Sequence, residues 1–188
     1  MDRSSRPTIV GEDFVTPPYP VYLKSYIIPG FGRGSSELGI PTANVEQHEF
    51  DKLDIGDTGI YYGWAKVEKT GSHDCSHRNE SGREVPHTFG SGLDPVDYEV
   101  HPMVMSVGWN PFYGNKKRTA EIHIMHKFTN SFYGAILRVV ILGYIRPELN
   151  YVSKEALIDD INTDITVALK SLDRENYKKY GDDKFFEW

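Results

Sequence analysis

A mainly β architecture, an antiparallel barrel with one helix packed on it, is what this sequence predicts, on three observations. At least five stretches are rich in β-branched and aromatic residues, the composition of strands. One amphipathic helical pattern follows, only after the last of them. The regular strand–helix alternation of a doubly wound fold is absent.

The elements follow in chain order. Residues 1–20 are polar and carry Pro7, Pro17, Pro18 and Pro20, so they are read as an arm lying across a domain that runs from 21 to 188. Val21 to Ile28 is the first strand, and Pro29-Gly30 breaks it. Gly59 to Val67 is the second and Met103 to Trp109 the third, long enough to pair as a hairpin. Between them, residues 69–102 are rich in Gly, Ser, His and Asp and lack periodicity, which reads as an exposed, mobile insertion at the hairpin tip. Ala120 to Phe128 and Ile136 to Ile145 complete the set. Ser153 then stands as an N-cap with Glu155 in the first turn. Leu157, Ile161, Ile165, Ala168, Leu169 and Leu172 recur at helical spacing, with Asp159, Asp160, Asp164 and Lys170 as the polar face.

Composition bounds the function. The chain has 188 residues, one domain's worth, and a formal net charge of −6. That charge argues against nucleic acid or an anionic membrane surface as the partner. The longest apolar stretch, Gly134 to Ile145, contains Arg138 and is too short to span a bilayer. The single cysteine, Cys75, leaves no intrachain disulfide and favours a reducing, cytoplasmic setting. His73, Cys75 and His77, with His87 and His101 further on, match no standard zinc spacing and read as a solvated loop.

Three short segments carry chemistry. The first is Gly30-Phe-Gly-Arg-Gly34, continuing through Ser36 to Pro41. Its glycines let backbone N–H groups approach phosphate oxygens, and Arg33 adds a charge-assisted contact. Taken alone the glycines fit a plain turn equally well, since Ser35 and Pro41 break the dinucleotide fingerprint. The second is Thr42 and Asn44, which share one face of an extended backbone and present two neutral oxygens. Such a pair suits Mg²⁺ that arrives with nucleotide phosphates, and Zn²⁺ fits the same oxygen set. An isolated Thr-x-Asn is more often a turn. The third is Glu121, which shares a face with His123 and Met125, while Ile122, Ile124 and Phe128 take the other. A carboxylate there can accept a proton from a substrate hydroxyl, although an exposed strand glutamate is commoner. Two further features read as structural: Lys116-Lys117-Arg118 as a solvated turn rather than a steering patch, and Trp64 and Trp109 as packing residues. The tail, Lys184 to Trp188, is expected to dock on the body near the ligand site.

Taken together, the chain resembles the riboflavin kinase family in its eukaryotic single-function form. The resemblance rests on seven ordered motifs over roughly residues 20–175: Gly30 to Gly34, Leu38 to Asn44, Gly59 to Trp64, Ser106 to Tyr113, Glu121 to His126, Phe132 to Gly134, and Gly143 to Glu148. It implies a six-stranded Greek-key barrel and transfer of the ATP γ-phosphoryl group to the ribityl 5′-hydroxyl of riboflavin, giving FMN and ADP. It implies Thr42 and Asn44 as Mg²⁺ ligands and Glu121 as the catalytic carboxylate. Gly30, Gly32, Arg33, Gly34 and Ser36 would form the phosphate cradle, with Thr42 close by. Ile124, His126 and Tyr133 would belong to the nucleotide pocket, and Arg146, Leu149 and Tyr151 to the flavin side. Relatives often carry Lys where this chain has Ser36 and Leu149, so neither position offers a cation here. The resemblance further implies a monomeric cytoplasmic enzyme, with a mitochondrial pool compatible with it. The alternative is a barrel that binds flavin or nucleotide without catalysis. Retention of Thr42, Asn44 and Glu121 together counts against it.

Overall fold

In the computed structural model, residues 6–30, 42–71, 86–109 and 117–187 are described. They form a closed antiparallel barrel of six strands: β1 (Val21–Ile28), β2 (Ala43–Val45), β3 (Gly59–Glu68), β4 (His101–Trp109), β5 (Arg118–Ile124) and β6 (Ile136–Arg146). Around the barrel the order is β1-β2-β5-β4-β3-β6, closing through β6 onto β1. The helices are α1 (Gln47–Phe50), α2 (Lys154–Leu172) and α3 (Glu175–Lys178).

Alternation in the strands divides the side chains between two cores. Leu23, Ile27, Ala43, Met105, Ile122, Ile124, Leu137, Val139 and Ile141 fill the barrel. On the outer face, Tyr62, Val104, Val140 and Leu142 pack under Ala168 and Leu172 of α2 and Tyr177 of α3. β3 and β6 are therefore covered on both faces, which explains their long apolar runs. One close approach depends on glycine: a Cβ on Gly63 would stand 2.0 Å from the Val140 carbonyl oxygen, beside a register shift between β3 and β6.

The Ser153 hydroxyl caps α2 by accepting from the Ala156 N–H at 3.1 Å, as its sequence position predicts. The polar face of that helix is not where the sequence put it. Asp160 and Asp164 are buried and Leu169 is exposed. Arginines from other elements compensate the two carboxylates, and that compensation is invisible in the local pattern. β2, only three residues long after a proline, carries no strand signal of its own. β5 ends at Ile124 rather than running to Phe128.

The segment between β3 and β4 is not exposed throughout its described part. Asp97 is fully buried in a 3-10 turn (Pro95–Tyr98), and Leu93 joins the barrel core. The tail docks, but away from the expected place: Phe186 is buried in the outer core, and its carbonyl accepts from Lys66 Nζ at 2.8 Å. Trp64 is a packing residue whose ring N–H donates to the Tyr177 carbonyl at 3.1 Å. Trp109, expected to pack, is instead 51% exposed at the end of β4.

Candidate active site

The barrel register assembles the site. Asn44 of β2 pairs with Glu121 of β5, and Glu121 pairs with Ser106 of β4. Partners across an antiparallel ladder share a face, so these three residues form a row on the outside of the barrel. Ala43 and Ile122, one step along, point inward to the core. Thr42 follows Asn44 on the outer face by the period of two. Ile28 pairs with Asn44 from the other side and leads into Gly30. A Cβ on Gly30 would lie 2.4 Å from Asn44 Nδ2, so the Asn44 amide stands against the start of the glycine-rich segment. Gly32, Arg33, Gly34 and Ser36 lie outside the described residues.

A cleft of about 310 Å³ opens between this face and α2. Thr42, Ser106, Glu121 and His123 form its sheet wall; Leu157 and Ile161 of α2 and Ile60 of β3 form an apolar wall. Arg146, Glu148, Leu149 and Tyr151, at and beyond the end of β6, close one side. Five residues singled out from the sequence, Thr42, Glu121, Arg146, Leu149 and Tyr151, thus meet in one cleft. Asn44, 6% exposed, is not in the lining but pairs with Glu121, which is. Gly59 has φ +144°, and a Cβ there would sit 2.3 Å from the Arg146 carbonyl oxygen, so only glycine lets β3 start against this corner.

Burial pushes the Glu121 carboxyl up from its ordinary value. Such a group ionises reluctantly and holds a proton more readily than a solvated carboxylate. Burial also pushes up the Tyr151 phenol, in part offset by Arg146. The Arg146 guanidinium is 5% exposed and grips Asp164, Nε donating to Oδ1 at 2.9 Å and Nη2 to Oδ2 at 2.6 Å. Asp164, which by its sequence pattern belongs to the polar face of the helix, lines the cleft as well. The available signal was a pair of aspartates one turn apart beside an apolar stripe.

The residues expected around the nucleotide base lie outside this cleft. Ile124 is part of the barrel core at 4% exposure, because β5 alternation turns it inward. His126 leaves the strand end, with Nε2 2.6 Å from Asp97 Oδ1, and stacks on His101 with ring centres 3.9 Å apart. Tyr133 packs near His87 and Phe132. His126 and Tyr133 frame the barrel end from which β1 runs out into Gly30: the Gly134 N–H donates to the Ile27 carbonyl there at 2.9 Å. Arg118 is committed elsewhere, donating to the Gly56 carbonyl at 2.7 Å.

Asp97 anchors that barrel end. Burial works against its charge. Hydrogen bonds from the Thr129 hydroxyl, from His126 and from the Asp94 and Thr129 N–H groups outweigh burial and hold the carboxyl down to about 2. A depressed folded-state value stabilises the fold above the ordinary value of 3.8, and that contribution is lost as pH falls through about 2. Asp97→Asn is therefore expected to lower stability by about 1–3 kcal/mol at pH 7. The deficit should shrink toward pH 2, as read by urea unfolding at both pH values.

Among the described residues, no group of three His, Cys, Asp or Glu is placed to hold a metal, and no helix is long and apolar enough to cross a membrane. Comparison with known proteins gives a consistent result. The family model described as Flavokinase, riboflavin kinase, matches residues 17–172. A riboflavin kinase of Scheffersomyces stipitis is 52% identical over 95% of this chain and 99% of its own length. One from Meyerozyma guilliermondii is 48% identical over 94% and 97%. The crystal structure of riboflavin kinase from Trypanosoma brucei superimposes with a TM-score of 0.62 at 24% identity, over 90% of each chain, and bears on the fold alone.

Proposed function

The chain belongs to the riboflavin kinase family, whose members convert riboflavin and ATP to FMN and ADP, and from that premise we propose the role of each residue in the cleft. The γ-phosphoryl group of ATP passes to the ribityl 5′-hydroxyl of riboflavin. Phosphoryl transfer asks little covalent chemistry of the protein; it needs in-line positioning and neutralised charge. The hydroxyl oxygen forms the new O–P bond, the bond from phosphorus to the β,γ-bridging oxygen breaks, and the electron pair leaves with ADP. The hydroxyl proton goes to the Glu121 carboxylate, late in the step, because the hydroxyl is hardly acidic until bonded to phosphorus. The observation that carries this reading is the register setting Asn44 opposite Glu121 with Thr42 on the same face. It brings the donor set and the base together where Gly30 begins the phosphate loop.

Thr42 and Asn44 fit a hard divalent ion: their oxygens are neutral, and the Asn44 amide is packed against Gly30. Bound there with nucleotide, Mg²⁺ would neutralise charge on the phosphates. Gly30 and the segment after it would hold the phosphates, with the nucleotide toward His126 and Tyr133. Ile124 would act by supporting that end from the core. Riboflavin would occupy the cleft, its ring along Leu157 and Ile161, with Arg146, Leu149 and Tyr151 as the closing wall. Barrel strands, α2 and the segment between β6 and α2 of one chain supply the described walls, which supports a monomeric enzyme. A cytoplasmic setting fits the single cysteine. The non-catalytic alternative is disfavoured by near 50% identity to kinases over almost the whole chain.

The test is chromatographic. Incubation with riboflavin, ATP and Mg²⁺ should give FMN and ADP in equal amounts. EDTA should abolish both products, and Mg²⁺ or Zn²⁺ added in excess of the chelator should show which metal restores them. Tight riboflavin binding without FMN would refute the kinase reading. FMN formation undiminished by EDTA would refute the Thr42–Asn44 metal site.

A further inference from the structure

One carboxylate holds the barrel end at His126. Asp97, in the 3-10 turn between β3 and β4, is fully buried, and its two oxygens have different partners. Oδ2 accepts from the Asp94 N–H at 2.9 Å, from the Thr129 hydroxyl at 2.5 Å and from the Thr129 N–H at 3.3 Å. Oδ1 accepts from His126 Nε2 at 2.6 Å. An ionised carboxylate only accepts, so Nε2 carries a hydrogen, and in the neutral ring Nδ1 is left as an acceptor. The ring has little freedom to turn. It lies flat on His101, with ring centres 3.9 Å apart, and Phe128 meets it edge-on at 4.9 Å. His101 is tied to the same turn, its Nε2 3.0 Å from the Val96 carbonyl oxygen. Nδ1 of His126 has no hydrogen-bond partner among the described residues, and the side chain is 18% exposed. An oriented acceptor thus stands at this barrel end with nothing of the described protein bonded to it.

We propose that Asp97 is a positioning residue that sets the base preference of the enzyme: it fixes the His126 ring and its tautomer, so that Nδ1 accepts a hydrogen bond from the 6-amino group of adenine. The proposal rests on the reading that places the nucleotide toward His126. The 6-amino group is the one donor group on the adenine ring and it donates only, so it distinguishes the two tautomers of a histidine. An isosteric change at Asp97 reverses the arrangement. In Asp97→Asn the amide oxygen takes the place of Oδ2, because three donors converge there. The amide NH2 then faces Nε2 and donates to it. The ring hydrogen moves to Nδ1, which meets the adenine amino group donor against donor. Buried Asp97 touches no substrate itself. Neither it, His101 nor His126 lines the cleft assigned to riboflavin, so the effect is selective for the nucleotide.

The experiment measures steady-state KM values for ATP, inosine triphosphate and riboflavin in the wild type, Asp97→Asn, His126→Ala and the double variant, with thermal unfolding alongside. Inosine carries a 6-oxo group, which accepts where adenine donates. Asp97→Asn should raise the ATP KM about tenfold, the effect of one reversed hydrogen bond. It should lower the inosine triphosphate KM and leave the riboflavin KM within about twofold. The stability loss expected of this variant does not mimic that pattern, because an unfolded fraction lowers the apparent kcat and leaves KM unchanged. In the His126→Ala background the same substitution should change the ATP KM by less than about twofold, since the ring it acts through is gone. If His126→Ala leaves the ATP KM unchanged, the nucleotide reading of this barrel end fails and the inference with it. If His126→Ala raises it while Asp97→Asn leaves the preference for ATP over inosine triphosphate as in the wild type, the role of Asp97 is wrong and the nucleotide reading stands. Effects that add in the double variant, or that raise all three KM values alike, show a structural role only and overturn the proposal. Should Asp97→Asn fail to fold, Thr129→Val carries the test. It takes one donor from Oδ2 and should raise the ATP KM about threefold with the riboflavin KM unchanged; an unchanged ATP KM overturns the proposal.

Discussion

Glu121→Gln is expected to lower the turnover of riboflavin to FMN by about 10²–10⁴-fold, the range a positioned proton acceptor contributes. Riboflavin and ATP should still bind, since the amide occupies the same place in the β2-β5-β4 row. The same substitution should stabilise the protein at neutral pH. Burial raises the Glu121 carboxyl above its ordinary 4.5 in the folded state. Over the window from 4.5 to that raised value the folded chain holds more protons than the unfolded one, so stability falls as pH rises. A neutral Gln escapes that cost. The variant should therefore melt at a higher temperature than wild type at pH 7, and the difference should vanish below the ordinary value, where both side chains are neutral. In the wild type, the acid limb of kcat/KM should lie above the ordinary carboxylate range. A variant that keeps full turnover removes Glu121 as the base. One that loses turnover and also melts lower at pH 7 refutes the burial argument.

Arg146→Met is expected to have the largest effect on stability. Arg146 and Asp164 are both nearly inaccessible, and the substitution removes the guanidinium that grips Asp164. Breaking a buried pair from one side costs about 3–5 kcal/mol. For a chain of this size each kcal/mol shifts the melting temperature by about 2–4 °C, so a fall of about 10 °C is expected. Replacing both partners, as in Arg146→Met/Asp164→Asn, should recover part of the loss, because no uncompensated charge then faces Arg146's place. Riboflavin binding should remain weak in the double variant, since the guanidinium at the cleft wall is gone. Equal melting temperatures for the two variants would show that the pair contributes nothing beyond packing.

The strands, the late helix and the chemistry-bearing segments were legible because their signals are local. Val21–Ile28 was readable from composition and the break at Pro29-Gly30, and its bounds coincide with β1. Ser153 announced the start of α2 by its own hydroxyl chemistry. Thr42, Asn44 and Glu121 were legible as residue types in ordered motifs. Their arrangement was not: that Asn44 faces Glu121 follows from pairing β2 with β5, a pairing with no mark in either segment. β2 is too short to show periodicity, and it exists as a strand because β1 and β5 flank it.

Charge was the least legible property. Asp160 and Asp164 look like a solvated helix face, and only the fold brings Arg6 and Arg146 to them from the arm and from β6. In the same way Asp97, within a segment read as an exposed insertion, is buried because Thr129 and His126 reach it from beyond β5. By itself the sequence determined the longer strands and the late helix, since propensity and alternation act between near neighbours, and its ordered motifs singled out Thr42, Asn44 and Glu121 as candidates for phosphoryl chemistry. Tertiary structure alone decided which of those side chains meet and which charges are buried. A carboxylate stays ionised out of water only where donors from distant parts of the chain converge on it, and their convergence is a property of the closed barrel.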